Sequence, residues 1–463
     1  MPWRERLTPA RMCRAAIVAP RSRLRPVLVH TADCGAFQPD ETARDRIAVG
    51  PASSLVEKLG SPEAVACLSV EPVEIGAVDH HPDIGLVVGE ASLEARLAAA
   101  TETEQSAALL GWIPRDQVEP LRTRIEPLGG SLVVLPTATG VTPPSMLAPF
   151  AGKAGRVLVD TYATVPYHDV DPTVFAAIAY IVMFGMMFGD VGHGLILAGL
   201  GLVAGFADRA WLRPAKRVWA MVFGAGVASV VFGFLYGEAF GPTGLVPVLW
   251  LSPLDEPDRL LVAGLVVGAV LLAGTYVMAS IDRWREGGIQ RALYASSGLA
   301  GALMFVGVAS MVGGAASSRV ALGRAGLAVT AVGVLLTAVG LIAEVGRSAT
   351  GVLQVIIELF EVVLRLGSNL VSFARLAAFG LTHAAISKVV WDGTTALWGG
   401  VGGSLAAIVL FVVGNALAFA LEALVAGIQA LRLEYYELFS RLFVTEGQPF
   451  RPWHVPIRSL EDL

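Results

Sequence analysis

The stretch ELFEVVLRLGSNLVSFARLAAFGLTHAAISK, residues 358–388, decides the fold. Its polar positions Glu358, Glu361, Arg365, Ser368, Ser372, Arg375 and Thr382 are spaced by three or four residues, then by seven. That is the period of one helical face, so a single helix is predicted with these side chains on one side and Val, Leu, Ala and Phe on the other. Arg375 is the anomaly. It lies several turns into an apolar segment, where a charge costs at least about 2.5–3.5 kcal/mol on insertion scales. It must face protein or water rather than lipid, and its own helix offers no acidic residue one turn away.

A second stripe, Asn415, Glu422, Gln429 and Arg432, is spaced by seven, seven and three. With the first helix running outward and the second returning, Glu361 is expected on the cytoplasmic side of Arg375. His383 is expected about 12 Å to the outer side, and Glu422 about 15 Å outward of Arg432. Two acidic approaches, one from each side, would then meet at arginines near mid-membrane. Plainer readings stand beside these. Glu361 and Arg365 form an i,i+4 pair in the favourable order, Arg432 near a helix end can snorkel, and His383 can be an interhelical hydrogen-bonder. Arg375 is read as functional, as intramembrane ionisable groups are by default.

Outward from these stripes, the composition is that of a membrane protein. Hydrophobic residues make up 54% of the 463, charged residues only 16%, against about 25% in soluble proteins, and mean hydropathy is +0.64. This excludes a disordered, collagen-like or disulfide-rich chain. Cys13, Cys34 and Cys67 have no metal-like spacing and read as reduced cytosolic thiols. No long basic run suggests nucleic acid. Windows of about 20 apolar residues give about eight candidate spans: 172–189, 193–207, 218–236, 260–281, 292–313, 325–343, 366–390 and 404–431.

Lys and Arg are retained in the cytoplasm. Arg209, Arg213, Lys216 and Arg217, then Arg283, Arg285 and Arg291, then Arg441, Arg451 and Arg458 therefore mark cytoplasmic segments. Residues 238–258 carry Glu238, Asp255, Glu256 and Asp258 without Lys or Arg inside and should face the other side. Arg319 and Arg324 fit this pattern less well. The Arg-rich start has no apolar stretch behind it and reads as neither signal peptide nor anchor, so both termini are expected in the cytosol. The expected fold is an α-helical polytopic membrane protein with a small N-terminal α/β cytosolic domain.

Residues 1–142 form that domain, with strand, helix, strand order at 15–19 and 24–31 and again at 107–113, 115–128 and 131–135. Trp112 belongs to its core, and Gly129-Gly130 stops the second helix. A proline-marked linker, 143–171, leads to six transmembrane helices (172–343), two long helices forming an ion path (344–432) and a cytosolic tail (433–463). In FGMMFGDVGHG, residues 184–194, Asp190 is read as the cap of the following helix in a close-packed turn, in preference to an ion site. His80-His81-Pro82-Asp83 lacks further ligands. There is no phosphate-binding loop, and neither cofactor nor metal is expected.

Phe184 to Gly194 resembles the F-G-x-M-F-G-D-x-G-H-G signature of the membrane stator subunit of V-type and A-type rotary ATPases, called subunit a or subunit I. Ser372-Phe373-Ala374-Arg375-Leu376 through His383-Ala384-Ala385-Ile386-Ser387 resembles that family's S-Y-x-R-L…H-A-x-x-S signature. Glu422 through Leu431-Arg432-Leu433-Glu434-Tyr435-Tyr436-Glu437 to Glu446-Gly447-Gln448-Pro449-Phe450 is similar to its last helix and tail. The resemblance runs over nearly the whole chain.

It implies that Arg375 is the stator arginine facing the carboxylates of a proteolipid ring and that Glu361 belongs to a cytoplasmic half-channel. It places His383, Glu422 and Arg432, with Ser372 and Gln429, on the remaining polar path. Arginine suits the crossing because its pKa above about 12 keeps it from releasing a proton. The implied protein is not an enzyme by itself. It would move protons or sodium against the ring, coupled to ATP hydrolysis or synthesis, with peripheral-stalk, central-stalk and catalytic subunits as partners in a prokaryotic plasma membrane. Arg365, standing where eukaryotic members have a neutral polar residue, and the short cytosolic part depart from the family pattern. The alternatives are a secondary anion transporter using Arg375 as ligand, which would carry inverted repeats that the sequence does not show, and a non-transporting scaffold.

Overall fold

The computed structural model describes residues 9–40, 50–59, 64–71, 84–136, 141–146, 153–207, 213, 215–316, 318–345, 349–443 and 446–458. The His80–Asp83 loop, Arg209 and Pro149 lie outside the described residues. The chain divides into two compact units, one of Pro9–Leu147 with Gly447–Leu463, the other chiefly Ala148–Glu446.

The first unit is α/β. Its central strand β1 (Met12–Pro20) buries Ala15, Ile17 and Ala19 at alternate positions, the period-2 signature of a strand packed on one face. Helix α1 (Leu24–Cys34) follows and stops at Gly35, whose left-handed conformation lets its N–H reach the carbonyls of Thr31 and Ala32. Beyond β2 (Gln38–Pro39) come α2 (Pro51–Lys58), α3 (Ile84–Ala99), β3 (Thr101–Glu102) and β4 (Ser106–Pro114). Helix α4 (Val118–Ile125) and β5 (Ser131–Leu135) complete the unit. The sheet runs β2-β4-β1-β5 with β3 also on β4, every pairing antiparallel, and Ala15 faces Gly111 on one side and Val134 on the other.

Ile17, Leu28, Phe37, Leu109, Ile113 and Leu121 make the core, and Trp453 and Val455 from the far end of the chain join it. Trp453 donates its backbone N–H to Phe37 O at 2.9 Å and its indole N–H to Ser92 Oγ at 2.8 Å. Ile457 bridges to Leu68. Trp453, Val455 and Ile457 are therefore structural parts of this unit. Trp453→Ala should destabilise it by about 3 kcal/mol, the cost of an emptied aromatic site, read as a lowered unfolding midpoint in a denaturant titration.

The second unit is helical: α5 (Lys153–Tyr162), α6 (Thr173–Met187), α7 (Val191–Phe206), α8 (Trp219–Tyr236), α9 (Pro257–Tyr294), α10 (Leu299–Ala316), α11 (Val320–Val345), α12 (Ala349–Ser372), α13 (Ala374–Ala396) and α14 (Gly400–Leu433). Among the described residues, α8, α9, α11 and α14 are long and apolar enough to cross a membrane, and α6, α7 and α10 are shorter apolar helices. Asp171 fixes the start of α6 by accepting the backbone N–H of Thr173 at 2.9 Å. In the same loop Asp169 is pushed up to about 8, by burial first and then by the neighbouring carboxylates Asp282 and Glu286. Helices α7 and α8 touch backbone to backbone: a Cβ on Gly226 would come within 2.4 Å of Ala198 N.

Two expectations about these helices change. The Asp282–Arg291 segment, read as a loop, continues α9 as helix to Tyr294, interrupted by non-helical backbone at Gly287 and Gly288. The expected single helix through Glu358 and Thr382 is broken at Phe373, where the bonds from Phe373 N to Leu370 O and from Leu376 N to Phe373 O shorten to i→i+3. The fully buried Phe373 ring sits on Gly268 of α9, where a Cβ would stand 2.2 Å from the ring. Tertiary packing places the break, because nothing in the local sequence forbids a continuous helix.

Candidate functional site

Arg375 is the second residue of α13, one turn past the end of the amphipathic α12, so the break at Phe373 sets its position. It is partly buried and makes no ion pair within 4 Å among the described residues. The chain does bring an acid toward it. Glu437 lies in a π-helical turn, Glu434–Phe439, that continues α14, and interacts with the Ser372 hydroxyl and with the charges of Arg375, Arg441 and Arg432. The expectation that Arg375 lacks an acidic neighbour holds for its own helix but not for its chain. With its amide nitrogen toward Glu437, Asn369 of α12 donates to Oε2 at 3.1 Å and accepts from Arg441 at 2.9 Å. Arg441 in turn donates to the Tyr276 hydroxyl of α9, with its guanidinium 5.0 Å from that ring. π-turns mark functional stretches often enough to be informative, and Glu437 stands eight residues past Gln429, outside the seven-residue spacing of Glu422 and Gln429.

On one side of this centre, α12 lines a cleft of about 260 Å³ with Gln354, Ile357, Glu358, Glu361, Val362 and Arg365, closed by Ser296. Glu361 and Arg365 are exposed and form the expected i,i+4 ion pair. The pairing answers the plain reading of both residues, but their place in a polar cleft is more than that reading required.

Eight residues along α13 from Arg375, His383 is buried and its Nδ1 pairs with Glu422 of α14. The second stripe thus meets α13 at His383, one residue past the end of the first stripe. Around this pair the fold gathers groups the sequence kept apart. Asp190 caps α7 as expected, Oδ1 accepting the His193 backbone N–H at 2.9 Å, while Oδ2 accepts that of Gly241 at 3.0 Å. His193 Nδ1 is 3.9 Å from Asp190 Oδ1, and its ring lies 5.7 Å from that of His383. Glu238, buried after α8, is close enough to interact electrostatically with Asp190, His383 and Glu422. Asp190, His193 and His383 each offer a ligand atom within 4.8 Å of the others. Phe188, Phe240 and Phe419 wall the cluster.

Buried atoms without a partner concentrate here: both ring nitrogens of His193, His383 Nε2, Glu238 Oε2, Glu422 Oε1, Asn415 Oδ1 and Ser387 Oγ. Gln429 Oε1 is also unpaired, and Arg432 is exposed near the end of α14. Sequence reasoning missed the joining of Asp190, His193 and Glu238 to His383. The one signal available was the Asp and His crowded among glycines at 184–194.

The profile of the V-type ATPase 116kDa subunit family matches residues 97–248 and 347–455, segments that contain Arg375, Glu437, the α12 residues of the cleft and the cluster around His383 and Glu422. A-type ATP synthase subunit I of Pyrococcus horikoshii is 28% identical over 374 residues, covering 77% of this chain and 55% of that protein. The protein of the same name from Thermococcus kodakarensis is 28% identical over 402 residues, 80% of this chain and 57% of its own. That from Methanocaldococcus jannaschii is 24% identical over 404 residues, 76% and 55% respectively. The chain spans about half the length of these curated relatives. Since the matched segments take in more than half of its residues, the chain belongs to the V-type ATPase 116kDa subunit family.

Proposed function

We propose that the chain is the membrane stator subunit of a V/A-type rotary ATPase, supplying two half-channels and a stator arginine to a ring of proteolipid carboxylates. The observation that carries this reading is the separation of two polar groups by Arg375. One is the open α12 cleft with Glu358 and Glu361, the other the buried cluster at His383 and Glu422. An ion path made of two dead ends forces each ring carboxylate to unload into one, cross past Arg375 while charged, and reload from the other. Arg375 stabilises the charged crossing because it stays protonated throughout.

The buried orphan atoms support a wet path. Dry, each would cost about 1–3 kcal/mol; lining hydrated protein, each finds a partner. The subunit performs no ATP chemistry in this reading, and catalytic, central-stalk and peripheral-stalk subunits complete the machine. The carried ion is a proton or sodium, a choice made chiefly by the ring.

Eight crossings, with the helix broken at Phe373 counted in the ion path, suit this function, and an even number is supported by one feature of the fold. Residues from Pro9 to Leu147 and from Gly447 onward belong to one unit, which supports their sharing a side of the membrane. The positive segments make that side cytoplasmic. Cys13 and Cys34, both partly exposed, report on it. A membrane-impermeant thiol reagent added outside intact cells should leave them unlabelled and should label them in inverted vesicles. Labelling from outside would exchange the two half-channels.

The reading as a whole is tested by reconstitution. The purified chain alone should show neither ATP hydrolysis nor solute uptake, while the complex containing it should couple the two. Robust solute transport by the isolated chain would replace the stator reading with the transporter one.

A further inference from the structure

We propose that Asp190, His193 and His383 form a binding site for a zinc ion, which would close the path they line. Their ligand atoms lie within 4.8 Å of one another. A tetrahedral shell with bonds of about 2.0–2.1 Å sets neighbouring ligand atoms about 3.4 Å apart, so each needs to move by about an ångström or less. All three side chains are almost wholly buried.

The donor set selects the ion. Two imidazoles and a carboxylate suit zinc, whereas calcium and magnesium require oxygen shells. The imidazoles are available: neither ring nitrogen of His193 makes a geometric hydrogen bond, and His383 commits Nδ1 to Glu422, leaving Nε2 unpaired. A histidine whose second nitrogen is held by a carboxylate is how zinc sites fix the ring and raise its basicity. The Asp190 carboxylate is held by backbone N–H groups from His193 and Gly241, each oxygen keeping a lone pair. The local charge favours a cation as well, since the acidic residues Asp190, Glu422 and Glu238 lie together here. The phenyl rings of Phe188, Phe240 and Phe419 pack against the His193 imidazole.

Binding would take His383 out of proton exchange and so stop flux, a consequence that rests on the two-path function proposed above. The binding itself does not. The test therefore has two separate arms.

In the first, the full chain is purified in detergent with Cys13→Ser, Cys34→Ser and Cys67→Ser, to remove thiol ligands, and titrated with Zn²⁺ by calorimetry and with Co²⁺ by visible absorption. The expected result is one Zn²⁺-displaceable Co²⁺ with tetrahedral absorption bands. Each change removes a ligand, so affinity in His193→Gln and in His383→Gln should fall by at least the factor, about 10- to 100-fold, that loss of a ligand's outer hydrogen-bond partner costs. Absence of such an ion, or affinity in both variants unchanged from that of the parent protein, overturns the site. X-ray absorption of the zinc-loaded protein without either histidine change provides a reading independent of variant folding. Imidazole and oxygen scattering supports the site, and a shell without imidazole overturns it. In the second arm, zinc should inhibit ion flux through the assembled complex, and His193→Gln should need at least tenfold more zinc for the same fractional inhibition of its own flux. Zinc bound at these residues without inhibition would leave the site standing and count against the two-path function.

Discussion

Arg375→Gln is expected to abolish ATP-driven ion transport in vesicles carrying the intact complex while leaving its subunits assembled. The residue sits where α12 ends and α13 begins, partly buried. Its acidic neighbour Glu437 is also engaged by Asn369 and by the charges of Arg441 and Arg432. The guanidinium therefore has no tight partner to satisfy it and can attract a passing carboxylate. Without it, a ring carboxylate crosses only in the protonated form, and the two paths lose their coupling to rotation. Arg375→Lys should also fail. An ammonium is a point charge with a pKa near 10.4 that burial lowers, so it loses both the planar fork and the assurance of staying charged. ATP-driven acidification, or sodium uptake, measures the loss, with assembly checked on the same preparation. A Gln variant that assembles and pumps at the unmodified rate makes Arg375 a packing residue.

The second large effect is expected at Glu422. Glu422→Gln should slow flux through the complex by roughly tenfold or more, the scale on which a positioned proton-transfer group acts. It removes the charged partner of a buried His383 and the one carboxylate that links α14 to α13 there. Glu361→Gln should slow flux less. Glu361 is exposed, its charge is already shared with Arg365, and Glu358 stands in the same cleft to take over. Flux rates in vesicles with matched amounts of assembled complex decide the order. Normal flux with both residues replaced together would return them to structural roles.

What the chain order reveals and what it hides follow from the range of the forces involved. The strands at Ala15–Ala19 and Ser131–Leu135 and the helices α6, α7, α8 and α14 lie close to where periodicity and apolar length place them, because those signals are local. The Asp190 cap was legible for the same reason. The break at Phe373 was not, since Phe373 continues the apolar pattern and its ring packs on Gly268, more than a hundred residues earlier. Glu437 escaped notice because it stands eight residues past Gln429, outside the seven-residue period that exposed Glu422 and Gln429. The meeting of His193 with His383 depends on how α7, α13 and α14 pack, and no spacing within any one of them encodes it.

The central claim, that two paths open to opposite sides and communicate only past Arg375, has a direct measurement. In the complex with the native cysteines replaced by serine, Glu361→Cys and Glu422→Cys are introduced separately and exposed to a membrane-impermeant thiol reagent from one face at a time. The account predicts that the cysteine at 361 reacts from the cytoplasmic face alone and the one at 422 from the opposite face alone. Reaction of both from the same face would contradict it.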